Sequence, residues 1–468
     1  MTLDSGIFER PLRVAIVGSG PSGFYAADPL LKSERPAAVD MFDRLPTPFG
    51  LVRGGVAPDH EKIRNVTRVY ERIADRPGFR FFGNVTIGRD LDLADLRQHY
   101  DAIILAYGAE TDRAMGVPGE DLPGSYTATS FVGWYNGHPD YRDAVFDLQQ
   151  EAAAIVGVGN VAMDVARILA KTVDELRTTD IATHALEALA ESKVREIHLI
   201  GRRGPAQAAF TALELKEMGR LVACQPIVDP AALALGPRCE EELSDNNRAR
   251  NLELLREFAA APDRNAPRRL YFRFLESPVA LEGNGRVESL RLGRNRLEGN
   301  EPFKQWAEPT GETFDLPCGL VFRSIGYRGI GIPGIPFDQK RGVVPNVAGR
   351  VTDSNGIVPG LYAAGWIKRG PSGIIGTNKP DSLETVERIW EDREALPPCP
   401  RPDPEAIPAL LASRGVRYVT MADWRQIDAA EQAAGAASGK PRERFTRVAD
   451  MLAVLDGPGA TSDTASDK

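Results

Sequence analysis

Two glycine-rich loops carry the chemistry of this chain: Gly18-x-Gly20-x-x-Gly23 after the strand-like run Arg13-Val-Ala-Ile-Val17, and Gly157-x-Gly159-x-x-Ala162 after Ala153-Ala-Ile-Val156. In each, peptide N–H groups and the positive end of the following helix face a pyrophosphate, and small residues let the backbone approach it. Two dinucleotides are implied, and a chain holding two redox dinucleotides is expected to pass electrons between them.

The acid and base that follow the motifs separate the two cradles. Ala38 to Phe42 reads as the next strand and ends at Asp43, placed to accept hydrogen bonds from an adenosine ribose, as FAD or NAD requires. After the second motif, in which Asn160, Val161 and Ala162 open the helix, the strand Arg195 to Ile200 ends instead in Gly201-Arg202-Arg203. Two guanidiniums there match the 2′-phosphate of NADP(H) and disfavour NAD(H). The plain alternatives are a turn aspartate and a solvated arginine pair. About forty residues separate Ala162 from Arg202, so Asp164 to Ser192 reads as a helical insertion with a polar turn at Thr178-Thr179-Asp180.

These loops need parallel sheets beneath them, and the elements comply. Asp101 to Ala106 reads as a buried strand leading into a crossover near Arg113, which either reaches a phosphate of the second nucleotide or is a plain surface arginine. Leu316 to Tyr327 reads as a return strand, Gly360 to Gly365 as a final strand with a tight end, and Asp381 to Trp390 as a helix. The backbone of the glycine-dense stretch between Gly365 and Thr377 suits a flavin ring or ribityl chain. The expected fold is α/β: two Rossmann-like dinucleotide-binding domains, parallel sheets flanked by helices. The FAD domain is discontinuous (residues 1–110 and 334–396), the NADP domain spans 111–333, and 397–468 form an extension. In that extension 397–408 reads as a proline-rich linker, 409–455 as two weakly amphipathic helices and 460–468 as a disordered tail.

Bulk properties narrow the class. The 468 residues are 43% hydrophobic and 26% charged, an ordinary globular composition. A net charge of −8 argues against a general nucleic-acid binder. No apolar run reaches the roughly 20 residues of a membrane span, and the start of the chain carries no leader pattern, so the cytoplasm is the expected compartment. The four cysteines, Cys224, Cys239, Cys318 and Cys399, are scattered, which removes a redox dithiol, a zinc knuckle and an iron–sulfur cluster; no metal is expected.

The chain resembles the adrenodoxin-reductase-type NADPH–ferredoxin reductases, of the bacterial kind, from about Leu12 to Glu391. The resemblance rests on Val17 to Gly23, Pro48-Phe-Gly-Leu-Val-Arg-Gly-Gly-Val-Ala-Pro-Asp-His60, Gly157 to Arg167, Gly201 to Glu214 and Gly365-Trp-Ile-Lys-Arg-Gly-Pro-Ser-Gly373. It implies FAD at Ser22, Asp43, Leu51, Val85, Trp366 and the backbone of Gly373, Ile374 and Ile375. It implies NADPH at Gly159 to Val161, Arg202, Arg203, Glu214 and Gly373, with Arg113 assisting. Trp366 replaces an aspartate common in the wider group, so backbone groups and the indole are expected to take over its hydrogen bonds. His60 and Glu214 resemble the polar pair set near nicotinamide and flavin: Glu214 to orient the carboxamide, His60 to tune proton delivery. The expected partner is a ferredoxin-type iron–sulfur protein, and a monomer is expected. An acidic reductase needs a basic rim to steer such a partner; Arg202, Arg203, Lys368 and Arg369 are candidates, while Arg248, Arg250, Arg268 and Arg269 read as a solvated face. Competing readings are an NADPH-dependent diaphorase or monooxygenase acting on a small acceptor, and a non-enzymatic FAD-binding scaffold.

Replacing Arg202 and Arg203 together with alanine is expected to weaken NADPH far more than NADH, by about 1.5 to 3 kcal/mol per lost charge-assisted contact. Equal losses in the two KM values would refute a phosphate clamp at this position.

Overall fold

The computed structural model describes residues 10–236 and 238–457; the tail expected at 460–468 lies outside them. Short apolar runs become parallel strands because both of their faces are covered, which is why they read as continuous rather than alternating. The first sheet orders Asn346–Val347, Arg350–Asp353, Gly356–Ala363, Ala102–Leu105, Leu12–Val17, Ala37–Phe42 and Phe79–Phe82. Its last five strands are parallel, and the return strand Gly356–Ala363 brings the C-terminal part of the chain beside Ala102–Leu105. The second sheet is parallel throughout: Ser125–Thr127, Leu320–Arg323, Ala152–Val156, Glu196–Gly201, Arg268–Phe274 and Cys224–Val228.

The chain leaves the first sheet through Thr111–Asp112 and returns through Tyr327–Arg328, and these two segments pair antiparallel. Both crossovers therefore run side by side, which ties the two sheets at one seam. A three-stranded antiparallel sheet, Glu276–Glu282, Ser289–Glu298 and Trp306–Pro317, extends from the second unit. Sequence reading missed it, and Leu316 and Pro317, read as the start of the return strand, belong to it; the parallel strand proper is Leu320–Arg323.

Each glycine loop is bent by its first glycine. Gly18 has φ +107° and Gly157 has φ +134°, and a Cβ there would stand 2.6 Å from the Ala106 carbonyl oxygen and 2.1 Å from that of Ser324. Only glycine tolerates both the angle and the approach. Gly23 packs against the carbonyl of Gly18, where a Cβ would come within 2.2 Å, while Ala162 in the second motif is accommodated as a fully buried residue.

The C-terminal extension differs from its expected form. Its described residues hold three α-helices, Ala406–Ser413, Met421–Ala437 and Val448–Ala453, and Pro408 sits inside the first rather than closing a linker. The supposed linker is anchored too: Cys399 N donates to Asp101 at 2.8 Å. Val419 exchanges backbone hydrogen bonds with Gly83. Trp424 is buried edge-on to Phe49, with the Arg53 guanidinium 5.0 Å above its ring. Glu431, fully buried, accepts from Arg53 at 2.9 and 2.5 Å and from the Phe445 amide at 3.0 Å. Arg444 then donates to the carbonyls of Arg53 (2.6 Å) and Asn136 (2.9 Å) and to Asp180 (2.6 Å), so one side chain grips both units. The polar turn at Asp180, read from sequence as a loop in an insertion, is the far anchor of this strap.

Trp424→Ala is expected to cost about 3 to 5 kcal/mol, read as a fall in denaturant midpoint. A loss below about 1 kcal/mol would mean that the extension is not part of the folded core.

Candidate functional site

Strand ends, not helix faces, deliver the groups expected to meet nucleotide. Gly20 and Gly159 occupy the N-caps of the helices Pro21–Lys32 and Asn160–Ala170, and a Cβ on either would meet nothing within 4 Å. Both loops thus offer bare backbone and a positive helix end to an incoming pyrophosphate. Asp43 lies at the end of Ala37–Phe42 and accepts from Ser19 N (3.0 Å) and Ser19 Oγ (2.5 Å) with one oxygen, and from Leu45 N (3.0 Å) with the other. Its carboxylate is aimed across the first loop, the position a ribose needs. Leu51 opens a short helix and is 38% exposed, and the preceding Gly50 lies against Gly20. Val85 is buried with its amide donated to the Asp43 carbonyl, so its backbone braces the acid.

At the return strand, Ser22 Oγ donates to Asn378 (3.1 Å) and Gly365 N to Asp381 (2.5 Å). A carboxylate therefore does meet the Ala-x-Gly turn, supplied by Asp381 from the helix Asn378–Asp392. The Trp366 indole instead donates to the Ser372 carbonyl at 3.2 Å and stacks on Tyr327, so its N–H is already committed. Gly373 and Ile374 are exposed and Ile375 half-buried at the approach to that helix. Lys368 is buried against Glu384 (2.6 Å) and Asp381 (3.3 Å), which removes it from any basic rim.

In the second unit Asn160 Oδ1 accepts from Thr211 N at 2.8 Å, fixing the start of the helix Ala212–Met218. Val161 is half-buried beside it. Arg202 and Arg203 follow the strand Glu196–Gly201, one exposed and one half-buried, as the sequence led us to expect. Arg113 stands at the crossover, its amide donating to Gly326 (3.0 Å) and its side chain exposed.

Where the units meet, seven ionisable groups converge. Arg167, 1% exposed at its side chain, donates to Asp59 (2.7 and 3.0 Å), Asp164 (2.6 Å) and Glu214 (3.0 Å), and Lys171 adds a 2.7 Å contact to Asp59. Asp59 and His60 come from the loop of the first unit; Asp164 and Arg167, and again Glu214 and Glu217, are i, i+3 pairs on two helices of the second. His60 Nε2 lies 2.9 Å from Glu217 and 3.7 Å from Glu214. The direct partner of His60 is thus Glu217, which sequence reading missed although it lies one turn beyond Glu214 on the same face. Glu214 is the buried member, held by Arg167.

Burial and the Asp164 charge push the Glu214 carboxyl up to about 7, against Arg167 and His60. Burial also raises Asp164. Burial opposes charge on His60, yet its hydrogen bond to Glu217 and the neighbouring Asp164 and Glu214 outweigh burial and Arg167 and raise its pKa. Glu217, hydrogen-bonded to His60, is lowered. Two carboxyls one turn apart are therefore driven in opposite directions, the pattern of a proton donor beside a proton acceptor. Ligand-type atoms of His60, Glu214 and Glu217 lie within 4.8 Å of one another, spacing that also suits a divalent cation. Arg167 Nη1 stands 3.0 Å from the Glu214 oxygen and 3.8 Å from that of Glu217, a fixed positive charge that makes a proton the better tenant.

Two glycine-loop cradles of the dinucleotide-binding type and a shared polar junction define a nucleotide-dependent oxidoreductase, and residues 12–199 match the family described as pyridine nucleotide-disulphide oxidoreductase. NADPH-ferredoxin reductase FprA of Mycobacterium tuberculosis (strain ATCC 25618 / H37Rv) is 44% identical over 465 residues, covering 95% of this chain and 99% of that protein. The mitochondrial NADPH:adrenodoxin oxidoreductase of Homo sapiens is 46% identical over 461 residues, covering 96% of this chain and 92% of the relative. The solved structure described as "Mycobacterium tuberculosis FprA in complex with NADPH" superposes with a TM-score of 0.90 at 44% identity, over 96% of this chain and all of that one. The chain belongs to the NADPH–ferredoxin and NADPH:adrenodoxin reductase family.

The Glu214 shift carries a pH signature. An unfolded glutamate titrates near 4.5 and the folded one near 7; between them the folded protein keeps a proton that the unfolded chain releases. This contribution to stability is complete below the lower value and lost as pH rises through the upper one. Glu214→Gln, which mimics the protonated form, should therefore gain in Tm relative to the parent on going from pH 5 to pH 8. Parallel Tm curves across that range would show that Glu214 titrates normally.

Proposed function

We propose that this protein is a ferredoxin–NADP+ reductase in which FAD takes a hydride from NADPH and single electrons leave for a ferredoxin-type iron–sulfur protein. The cofactors are FAD and NADPH/NADP+. When bound, the flavin accepts a two-electron hydride and releases electrons one at a time, the conversion a ferredoxin requires. The observation that carries the reading is the junction itself: His60 of the FAD half hydrogen-bonds Glu217 of the NADP half, and Asp59 accepts from Arg167, which in turn holds Glu214.

The chain's own residues divide the work. Asp43, held by Ser19, receives the ribose of FAD, and the Gly20 and Gly159 loops receive the two pyrophosphates. Arg202 and Arg203 grip the 2′-phosphate, with Arg113 at the crossover. Glu214 orients the nicotinamide edge while Arg167 fixes its carboxylate. His60 moves a proton between that buried edge and the Glu217 side chain, which is 32% exposed and opens to solvent. Residues 1–110 and 334–396 form the FAD domain and 111–333 the NADP domain in this reading. No helix among the described residues is long and apolar enough to cross a membrane. We place the protein in the cytoplasm as a monomer, with exposed arginines near the cofactors steering the acidic partner.

Stopped-flow mixing of the flavin-loaded protein with NADPH should bleach the flavin band, and cytochrome c reduction should rise when an acidic ferredoxin is added. Bleaching without any gain from a ferredoxin would favour a diaphorase or monooxygenase using a small acceptor; no bleaching at all would end both enzyme readings.

A further inference from the structure

A third guanidinium is tied, through a buried carboxylate, to the turn that follows Arg202 and Arg203. Arg248 lies in the first turn of the helix Asn246–Ala260, whose N-cap Asp245 accepts from the Arg248 amide at 3.0 Å. Its guanidinium donates to Glu242 and lies 4.8 Å over the ring of Phe303. Glu242 is fully buried, and its other donors are Gln207 Nε2 at 3.0 Å and the Phe303 amide at 2.8 Å. Gln207 closes the turn Pro205–Gln207 that follows Arg202-Arg203-Gly204, and the Gln207 side chain packs on Gly204. One buried carboxylate therefore seats both that loop and Arg248.

The loop is held rigidly from the other side as well. Asn295 Nδ2 donates to the Arg202 carbonyl at 3.0 Å, and the Leu275 amide to that of Arg203 at 3.1 Å. Arg202 and Arg203 form no ion pair with a carboxylate among the described residues. Burial, then Arg202, then Arg248 lower the proton affinity of Arg203, so the three cations sit within electrostatic reach. Within electrostatic range of Arg203 lie two further guanidiniums and one carboxylate, Glu242, which is already engaged by Arg248, Gln207 and Phe303. Such an excess of positive charge destabilises the free protein, and a phosphate dianion relieves it where a ribose hydroxyl does not.

We propose that Arg248, seated on buried Glu242, is a third determinant of specificity for the 2′-phosphate of NADP(H). This deepens the nucleotide assignment proposed above and rests on it. A residue read from sequence as part of a solvated basic face is thereby separated from its neighbours: Arg250 pairs with Glu253, Arg269 with Asp263, and Arg268 donates to backbone carbonyls.

Arg248→Gln keeps a hydrogen bond to Glu242 while deleting the charge, and Arg248→Lys keeps the charge. Calorimetric titration of the flavin-loaded protein with adenosine 2′,5′-bisphosphate and with ADP separates the 2′-phosphate from the rest of the nucleotide. For Arg248→Gln the Kd of the bisphosphate should rise about tenfold, the size of one partly exposed charge-assisted contact, with the Kd of ADP changing less than about twofold. Arg248→Lys should recover most of the loss. Equal rises for both ligands, or no rise for the bisphosphate, would overturn the proposal. Failure of the parent protein to be reduced by NADPH would count against the proposed function instead, because bisphosphate binding is read without turnover.

Discussion

One buried guanidinium, that of Arg167, holds the functional junction together. It is removed from water and must be paired, and its partners come from both units: Asp59 from one, Asp164 and Glu214 from the other. Removing any partner would leave charge uncompensated in a dry place. The pairing thus specifies how the loop bearing His60 meets the helix bearing Glu214 and Glu217, which a purely apolar contact would define far less sharply. Burial and the neighbouring Asp164 charge raise the proton affinity of Glu214, while the hydrogen bond from His60 lowers that of Glu217.

A second tie keeps the units in register from a distance. The extension beyond the final helix of the first sheet packs Trp424 under Phe49, then sends Arg444 across to Asn136 and Asp180. Phe49 precedes the short helix Leu51–Gly54 that leads to His60, so packing by the extension bears on the junction through a continuous stretch of chain. Together with the paired crossovers at Thr111–Asp112 and Tyr327–Arg328, this gives three separate constraints on one interface. Close ring approach for hydride transfer demands placement of that kind.

Much of the nucleotide chemistry was legible in the residue order because it is local. A strand, a tight glycine turn and a helix start follow one another within about a dozen residues, and the acid or arginines that distinguish the two cradles come at the end of the next strand. The loops at Gly18 and Gly157, Asp43, Arg202 and Arg203 all stand where that logic put them. The antiparallel sheet from Glu276 to Pro317 was not legible, because its exposed strand Trp306–Pro317 carries polar residues on both sides and no single buried face marks it. The helices beyond Pro397 were half-legible: their apolar positions showed a period, but prolines at 397, 398, 400, 402, 404 and 408 suggested a linker where the chain is pinned to Asp101 and continues into a helix.

By itself the order of residues determined two parallel α/β units, their glycine loops, and the acid and the arginine pair that end the following strands, since these depend on neighbours along the chain. Only tertiary structure decided which charges meet. It set Glu217 rather than Glu214 against His60, buried Lys368 away from solvent, brought Asp381 to the turn at Gly365 and joined Arg248, through Glu242, to the turn after the arginine pair. Each of those contacts joins segments distant in the chain or selects between residues one helical turn apart, and electrostatic energy turns on differences of a few ångströms that no linear spacing encodes.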